Sequence, residues 1–317
     1  MSTYTNQRTA YGETLVELGK VDSRIVALDA DLCKSTMSVL FQDAFPARFC
    51  EMGIAEANMM STAAGLAVSG KVPFASTFAV FATGRAYDQI RQTISIGNLN
   101  VKICGSSCGL SDFGDGSTHQ SIDDVAIMRV IPNMTVLTPC DATEVRLAVR
   151  AAAAHDGPVY IRVNRNPVLD ILSRTDTLEI GKPRILREGT DVLLVAHGVM
   201  VEKALQAATM LEEQKISARV VSIGTMKPFN YKAVADLAKG MKGVVSAEEH
   251  NFIGGLAAAV AFSLRKSCVP MEYVAIMDEF GQSAHHPEEL QAAFHLTAEN
   301  IAHKAEDLVR GAVAKKN

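Results

Sequence analysis

Short apolar runs alternate with segments of helical spacing along the first half of the chain. The apolar runs, which predict strands, lie at 24–29, 72–75, 101–104, 135–138 and 159–163. The predicted helices lie at 11–18, 56–67, 78–96 and 142–154. Strands that alternate with helices are typical of a parallel sheet covered by helices on both faces. The first half of the chain is therefore predicted to be an α/β domain.

A second series of strands and helices follows a looser stretch. Polar residues and two prolines between 164 and 187 indicate a linker. Beyond it, strands are predicted at 191–196, 218–223, 243–247 and 271–276, with helices at 201–214, 231–239 and 255–265. We therefore predict two three-layer α/β/α domains, at 1–170 and 188–317, joined by a linker at 171–187.

Composition and charge narrow the class of protein. The chain has 317 residues, of which 48% are hydrophobic and 21% are charged, so wholesale disorder is excluded. Its net charge is 31 − 35 = −4, and no long basic block points to nucleic acid or to an anionic membrane. The apolar stretches are too short to span a bilayer, and the polar amino-terminal segment does not resemble a signal peptide. We expect a soluble, cytoplasmic protein whose cysteines are free thiols.

Glu56 and His119 are candidate acid–base residues. Glu56 begins a nearly apolar helical segment, where its carboxyl group would be partly desolvated. A carboxylate stabilised by the dipole at the start of a helix fits the same pattern. His119 follows a loop of small and acidic residues, and such loops at strand ends bind ligands in open α/β sheets. From the residues alone, a functional role and a purely structural one stay open for both.

Six segments occur in an order that carries a family resemblance. They read GIAEANM at 53–59, ASTFAVF at 75–81, GDGSTHQ at 114–120, RVIPNM at 129–134, TPCD at 138–141 and DGPVYIR at 156–162. The chain resembles the carboxyl-terminal half of transketolase, which comprises a pyrimidine-binding domain and a carboxyl-terminal domain. The resemblance implies thiamine-diphosphate-dependent transfer of a two-carbon ketol unit from a ketose or ketose phosphate to a phosphorylated aldose or a related acceptor. The pathway it implies is the pentose phosphate pathway or a specialised one, such as apulose phosphate catabolism.

The resemblance also implies which residues form the site. Glu56 matches the glutamate that hydrogen-bonds N1′ of the cofactor's aminopyrimidine, and His119 matches a histidine that contacts the sugar donor; both are expected to be catalytic. The residues expected at the cofactor are Asp31, Leu32, Glu56, Phe78 and Phe81. The residues expected at the substrate are Arg8, Ser35, Asp115, His119 and Arg165, of which the two arginines and the serine bind the sugar phosphate.

Two positions depart from the family pattern. Gly84 stands where many transketolases have a tyrosine, which leaves the aromatic pocket more open on that side. A histidine that joins the phosphate-binding residues in common transketolases is missing from the stretch 104–108. The missing histidine could change which sugars the protein accepts. The prediction is still a phosphorylated acceptor.

The resemblance does not include the family's amino-terminal domain, which binds the diphosphate and the metal. The segment 114–116 matches the start of the family's magnesium motif, but 140–146 lack the asparagine that completes it. No metal site is therefore predicted in this chain, and Mg²⁺ and the diphosphate are expected on a partner. The chain is expected to be the β-type subunit of a split transketolase, active only with an amino-terminal α-type subunit in an α2β2 heterotetramer.

Three other interpretations stay open. They are a 2-oxo acid dehydrogenase β subunit, a deoxyxylulose-phosphate-synthase-like subunit, and a non-catalytic regulatory or scaffold subunit. The loop 114–120, with Asp115 and His119, favours the sugar enzymes, and the synthase is normally a single chain. Retention of Glu56, Phe81 and His119 argues against a subunit that has lost its chemistry.

Overall fold

Strands and helices alternate through residues 3–314, the part of the chain that this computed structural model describes, with side chains described for residues 3–311. The outermost ends of the predicted domains, 1–2 and 315–317, lie outside the described residues. The strands are β1 (Tyr4–Asn6), β2 (Ile25–Asp29), β3 (Phe49–Glu51), β4 (Val72–Phe78), β5 (Lys102–Ser106), β6 (Thr135–Leu137), β7 (Val159–Arg162), β8 (Pro167–Leu169), β9 (Arg184–Arg187), β10 (Val192–Ala196), β11 (Ala218–Ser222), β12 (Thr225–Lys227), β13 (Gly243–Asn251) and β14 (Met271–Ile276). The α-helices are α1 (Gln7–Val21), α2 (Cys33–Thr36), α3 (Val39–Ala44), α4 (Glu56–Val68), α5 (Tyr87–Gln89), α6 (Asp124–Val130), α7 (Ala142–Ala154), α8 (Met200–Glu213), α9 (Tyr231–Leu237), α10 (Leu256–Ser263), α11 (Pro287–Ala293) and α12 (Ala298–Ala314).

Seven strands form the larger sheet, in the order β12-β6-β7-β5-β4-β2-β3. All neighbours pair in parallel except β12, which comes from the second half of the chain and pairs antiparallel to β6. The central strands β2, β4, β5 and β7 are buried along their whole length, as expected of a parallel sheet covered on both faces. The predicted α/β class is confirmed.

Five strands form the smaller sheet, in the order β14-β13-β10-β11-β9. Its neighbours pair in parallel except β9, which is antiparallel to β11. Strand β9 lies within the stretch 171–187 that is predicted to be a linker, so this stretch contains one short strand. This short strand at a sheet edge has an arginine at each end and only two apolar residues between them, a pattern that resembles a polar loop in the sequence. The division of the chain into two domains stays a prediction.

The predicted helix over 78–96 differs most from the structure. Strand β4 continues to Phe78, and two π-helical segments, Phe81–Arg85 and Ile90–Ser95, follow it on either side of α5. Gly84 in the first of these segments has a low helix propensity. π-Helical turns interrupt ordinary helices and are frequent at functional sites.

A buried ion pair lies where the two sheets meet. Nε of Arg162, on β7, is 2.9 Å from Oδ2 of Asp124, on α6, and Tyr160 donates a hydrogen bond of 2.7 Å to the same carboxylate. Arg162 also donates a 2.9 Å hydrogen bond to the backbone carbonyl of Glu249, on β13. Burial by itself would raise the pKa of Asp124, but Arg162, together with His250 and Tyr160, holds that pKa below its usual value. The pair therefore joins the larger sheet to the smaller one.

A second buried carboxylate, Asp29, orders the loop that follows β2. Its oxygens accept hydrogen bonds from the backbone N–H of Leu32 at 2.7 Å, from the Thr36 hydroxyl at 2.7 Å and from the Ser38 hydroxyl at 2.8 Å. Burial raises the pKa of Asp29 to about 6, and the three hydrogen bonds act in the opposite direction. The loop after β2 is thus held from inside the sheet.

Replacing Asp124 with alanine should destabilise the protein strongly. The change leaves the buried guanidinium of Arg162 without its charge partner, and breaking a buried pair in this way typically costs about 3–5 kcal/mol. Urea denaturation measures the free energy of unfolding. The matched control is Glu13→Ala, which removes the exposed partner of Arg146 and should cost at most about 1 kcal/mol. Equal losses from the two variants would contradict the importance of the buried pair.

Replacing Asp29 with asparagine should change how stability depends on pH. Because the folded-state pKa of about 6 lies above the ordinary value of 3.8, this carboxyl group favours folding at low pH. That contribution is lost as pH rises through the folded-state pKa. Between about pH 4.5 and pH 7, the wild type should therefore lose roughly 2 kcal/mol of stability relative to the variant. Denaturation curves at both pH values measure the difference, and a difference that does not vary with pH would rule the effect out.

Candidate functional site

The residues with a predicted role lie at the carboxyl edge of the larger sheet. They follow its strands in turn: Asp31, Leu32 and Ser35 after β2, Glu56 after β3, Phe78 and Phe81 at the end of β4, Asp115 and His119 after β5, and Arg165 after β7. Arg8, near the start of α1, reaches the same edge because its Nη1 donates a 2.8 Å hydrogen bond to the backbone carbonyl of Ser35. This edge is where open α/β sheets bind ligands.

Three rings form what we call the ring cluster: Phe78, Phe81 and His119. The two phenylalanine rings stack, with 6.0 Å between their centroids and an interplanar angle of 17°. The His119 imidazole stands edge-on to both, at 5.3 Å from Phe81 and 6.3 Å from Phe78. Thr118 Oγ1 lies 2.9 Å from Nδ1 of His119, so Nε2 is the ring nitrogen left for a ligand.

Glu56 is connected to the ring cluster through an arginine. Its side chain is 5% exposed, and Oε1 accepts a 2.9 Å hydrogen bond from Nη1 of Arg85. The Arg85 guanidinium in turn lies 4.0 Å from the centroid of the Phe81 ring, in a cation–π contact. No group among the described residues donates a hydrogen bond to Oε2 of Glu56. One oxygen of this buried carboxyl group is therefore unpaired.

The charge cluster, defined here as Arg8, Asp112 and Arg165, adjoins the rings. The Arg165 guanidinium lies 5.8 Å from the centroid of Phe78, and its Nη1 donates a 2.8 Å hydrogen bond to Oδ2 of Asp112. Burial lowers the pKa of Arg8 and the positive charge of Arg165 lowers it further, while Asp112 acts in the opposite direction. The fold thus brings together the predicted anion-binding residues, including Ser35 through its bond to Arg8.

Asp112 connects the charge cluster to the predicted substrate residues. Its side chain is 3% exposed, and the negative charge of Asp115 lies close enough to act on its carboxyl group. Burial raises the pKa of Asp112, the positive charge of Arg165 opposes this, and Asp115 raises it further. His119 is also close enough for its charge to act on Asp112. The two clusters therefore form one continuous site.

Asp31 and Leu32 lie on the ordered loop after β2. The backbone N–H of Asp31 donates a 2.8 Å hydrogen bond to Glu51, and its φ of 63° lies in the left-handed region. The backbone N–H of Leu32 bonds to Asp29. Among the described residues, no hydrogen bond or ring contact joins either side chain to the ring cluster. The structure thus places these two residues at the same edge as the other predicted site residues.

Neutral groups fill the stretch 104–108, which lacks the family's histidine. Ser106 and Ser107 are buried, and their hydroxyl groups have no hydrogen-bond partner among the described residues. Ser107 has a φ of 53°, which is uncommon for a residue with a side chain. The stretch that lacks the histidine therefore carries buried hydroxyl groups and no positive charge.

Arg85 and Asp112 are the site residues that the motifs do not identify. Arg85 directly follows the departure at Gly84, and Asp112 lies three positions before Asp115. These neighbours are the signals that could have drawn attention to them. Their partners come from other loops, so only the folded arrangement shows what they contact.

The arrangement limits what the site can bind. The stacked rings beside an unpaired carboxyl oxygen suit a flat heteroaromatic ring with a hydrogen-bonding nitrogen. The two guanidinium groups suit an anionic substituent. In the described part of the chain, no group of three or more His, Cys, Asp or Glu side chains could hold a metal ion. No helix there is long and apolar enough to cross a membrane.

Comparisons with known proteins identify both halves of the chain. The family model for the transketolase pyrimidine-binding domain matches residues 4–169, and the model for the transketolase C-terminal domain matches residues 181–301. A 6-deoxy-6-sulfo-D-fructose transketolase subunit from Clostridium sp. is 43% identical over 95% of this chain and 94% of its own length. An apulose-4-phosphate transketolase subunit from Phocaeicola vulgatus is 36% identical over 96% of this chain and 97% of its own length.

A solved structure extends the similarity to the fold. It is described as a split-gene transketolase in an inactive β4 tetramer, and it is 45% identical with a TM-score of 0.88. The match covers 96% of this chain and 98% of that one. The resemblance inferred from the motifs is therefore confirmed. The chain belongs to the transketolase family.

Proposed function

We propose that this chain is the subunit of a split transketolase that carries the pyrimidine-binding half of the active site. With its partner, it transfers a two-carbon ketol unit from a ketose or ketose phosphate to a phosphorylated aldose or a related acceptor. The observation that carries the proposal is the meeting of Glu56, Arg85, Phe81 and His119 at one edge of the sheet. Two relatives named for a sulfonated and a phosphorylated sugar support a substrate with an anionic end.

The ring cluster fits the aminopyrimidine of thiamine diphosphate. Phe78 and Phe81 offer aromatic faces for a flat ring, and the unpaired oxygen of Glu56 offers a partner for a ring nitrogen. When bound, the cofactor supplies a nucleophilic carbon and an electron sink for breaking and making the carbon–carbon bond. We assign the ligands of the diphosphate and of Mg²⁺ to the partner subunit.

Glu56 is proposed to hydrogen-bond the pyrimidine nitrogen N1′ and to exchange a proton with it. Its side chain is 5% exposed, so water has little access to it. Arg85 holds the other carboxyl oxygen and covers one face of Phe81. A ring that stacks on that face has to displace the guanidinium. Because Arg85 is itself 52% exposed, it has room to swing away.

The remaining site residues are proposed to hold the sugar. Nε2 of His119 faces no hydrogen-bond partner among the described residues and is free to contact an oxygen of the donor. Asp115 is proposed to accept a hydrogen bond from a hydroxyl group of the acceptor. Arg8, Ser35 and Arg165 are proposed to hold the anionic end of the sugar, since guanidinium groups bind such oxygens with charge-assisted hydrogen bonds. Asp31 and Leu32 are proposed to line the cofactor side.

We infer that a second type of subunit completes the site, in an α2β2 heterotetramer. The two relatives are named as transketolase subunits. The similar solved structure contains β chains alone and is described as inactive. Both descriptions support a requirement for an α-type partner.

Replacing Glu56 with glutamine in the reconstituted complex should lower kcat by about 10²–10⁴-fold, the usual effect of losing a general acid–base group. The amide fills the same volume and can still pair with Arg85, but it cannot exchange a proton with a ring nitrogen. Steady-state kinetics measure kcat, and size-exclusion chromatography measures assembly. The matched control is Glu17→Gln, which changes an exposed glutamate paired with Arg150. A Glu56 variant within about threefold of wild type would remove this residue from the mechanism.

A further inference from the structure

The charge cluster contains an acidic group that a simple anion-binding site does not need. Arg8 and Arg165 each carry a positive charge, and the Asp112 carboxylate lies 2.8 Å from Arg165. Asp112 also acts on Arg8, since its charge opposes the lowering of the pKa of that guanidinium. With Asp112 ionised, the charges of the three side chains sum to +1.

Both arginines nevertheless keep hydrogen-bond donors for a ligand. Nη1 of Arg8 bonds to the Ser35 carbonyl, and Nη1 of Arg165 bonds to Asp112. The Nη2 atom of Arg8 and the Nη2 atom of Arg165 donate no hydrogen bond to any described residue. The Arg165 side chain is 33% exposed, whereas the Asp112 side chain is almost fully buried. A ligand can therefore reach the guanidinium groups while Asp112 stays in place.

We propose that Asp112 determines the charge preference of this site, so that it favours sugars with a monoanionic end, such as a sulfonate, over sugars with a dianionic phosphate. A monoanion brings the cluster to neutrality. A dianion leaves an excess negative charge beside a buried carboxylate, where solvent screens the repulsion poorly. This inference rests on the proposed function, because it assumes that the arginines bind the end of a sugar substrate.

The surroundings of Asp112 do not cancel its charge. The carboxyl group of Asp115 adds a further acidic neighbour. The stretch 104–108, which lacks the family's histidine, offers the neutral hydroxyl groups of Ser106 and Ser107. His119 also acts on Asp112, but its ring lies against the two phenylalanines and forms no ion pair with that carboxylate. Arg165 is therefore the one close cation that Asp112 pairs with among the described residues.

The test compares two acceptors in the complex of this chain with its partner, cofactor and Mg²⁺. An aldose with a terminal phosphate and the same aldose with a terminal sulfonate differ in charge at about pH 8, because the second pKa of a phosphate monoester is about 6. The wild type should have the higher kcat/KM for the sulfonate. Asp112→Asn keeps the volume and the hydrogen bond to Arg165 but removes the charge. It should raise the phosphate-to-sulfonate ratio of kcat/KM by roughly tenfold or more.

Two further Asp112 variants and one control complete the test. Asp112→Ser removes the same charge and serves if the asparagine variant fails to fold. In an Arg165→Ala background, Asp112→Asn should change the ratio much less, because the two groups act together. The control Asp307→Asn removes an exposed carboxylate on α12 and should leave the ratio unchanged. A phosphate-to-sulfonate ratio that stays the same in Asp112→Asn and in Asp112→Ser would overturn the proposal.

A binding measurement separates this inference from the proposed function. The corresponding alditol phosphate and alditol sulfonate have no carbonyl group, so they bind without reacting, and calorimetry of the complex gives their Kd values. If two-carbon transfer is absent but Asp112→Asn still shifts the alditol preference towards phosphate, the proposed function fails and the role of Asp112 stands. If transfer is present and neither ratio shifts, the role of Asp112 fails alone.

Discussion

The parallel direction of the central strands is the constraint on which the rest of the structure depends. Because β2, β3, β4, β5 and β7 run the same way, five loops that are far apart in sequence leave the sheet at one edge. Each loop contributes a different chemistry, including an acid in Glu56, an imidazole in His119 and a cation in Arg165. Buried polar contacts hold the frame, through Asp29 below one loop and the Arg162 ion pair at the junction of the sheets.

The elements that the sequence predicts well are those whose pattern is local. Helix α7 begins and ends at the predicted residues, 142 and 154, because its apolar positions repeat at helical spacing from the Asp141 cap onwards. Strands β9 and β12 escape prediction because each is short and is stabilised by antiparallel pairing at the edge of a sheet. The π-helical segment Phe81–Arg85 escapes for a related reason, since its apolar residues keep a spacing that resembles an ordinary helix.

The motifs indicate candidate site residues but not the contacts that these residues make. Glu56, Phe81 and His119 stand in segments that resemble a known family, so their presence is visible in the sequence. Arg85 and Asp112 carry no such signal, because each is defined by a partner on another loop. A sequence shows that a charged residue is present, but burial and a partner at hydrogen-bond distance decide whether that charge acts on a ligand.

Under the proposed function, this chain contributes half of an active site. The acid, the rings and the arginines are here, and the ligands of the diphosphate and of Mg²⁺ are assigned to a partner. The most direct measurement is calorimetric titration of thiamine diphosphate, in the presence of Mg²⁺, into this chain, into the α-type partner and into their equimolar mixture. We predict micromolar or tighter binding only in the mixture. Micromolar binding by this chain alone would contradict the division of the site between two subunits.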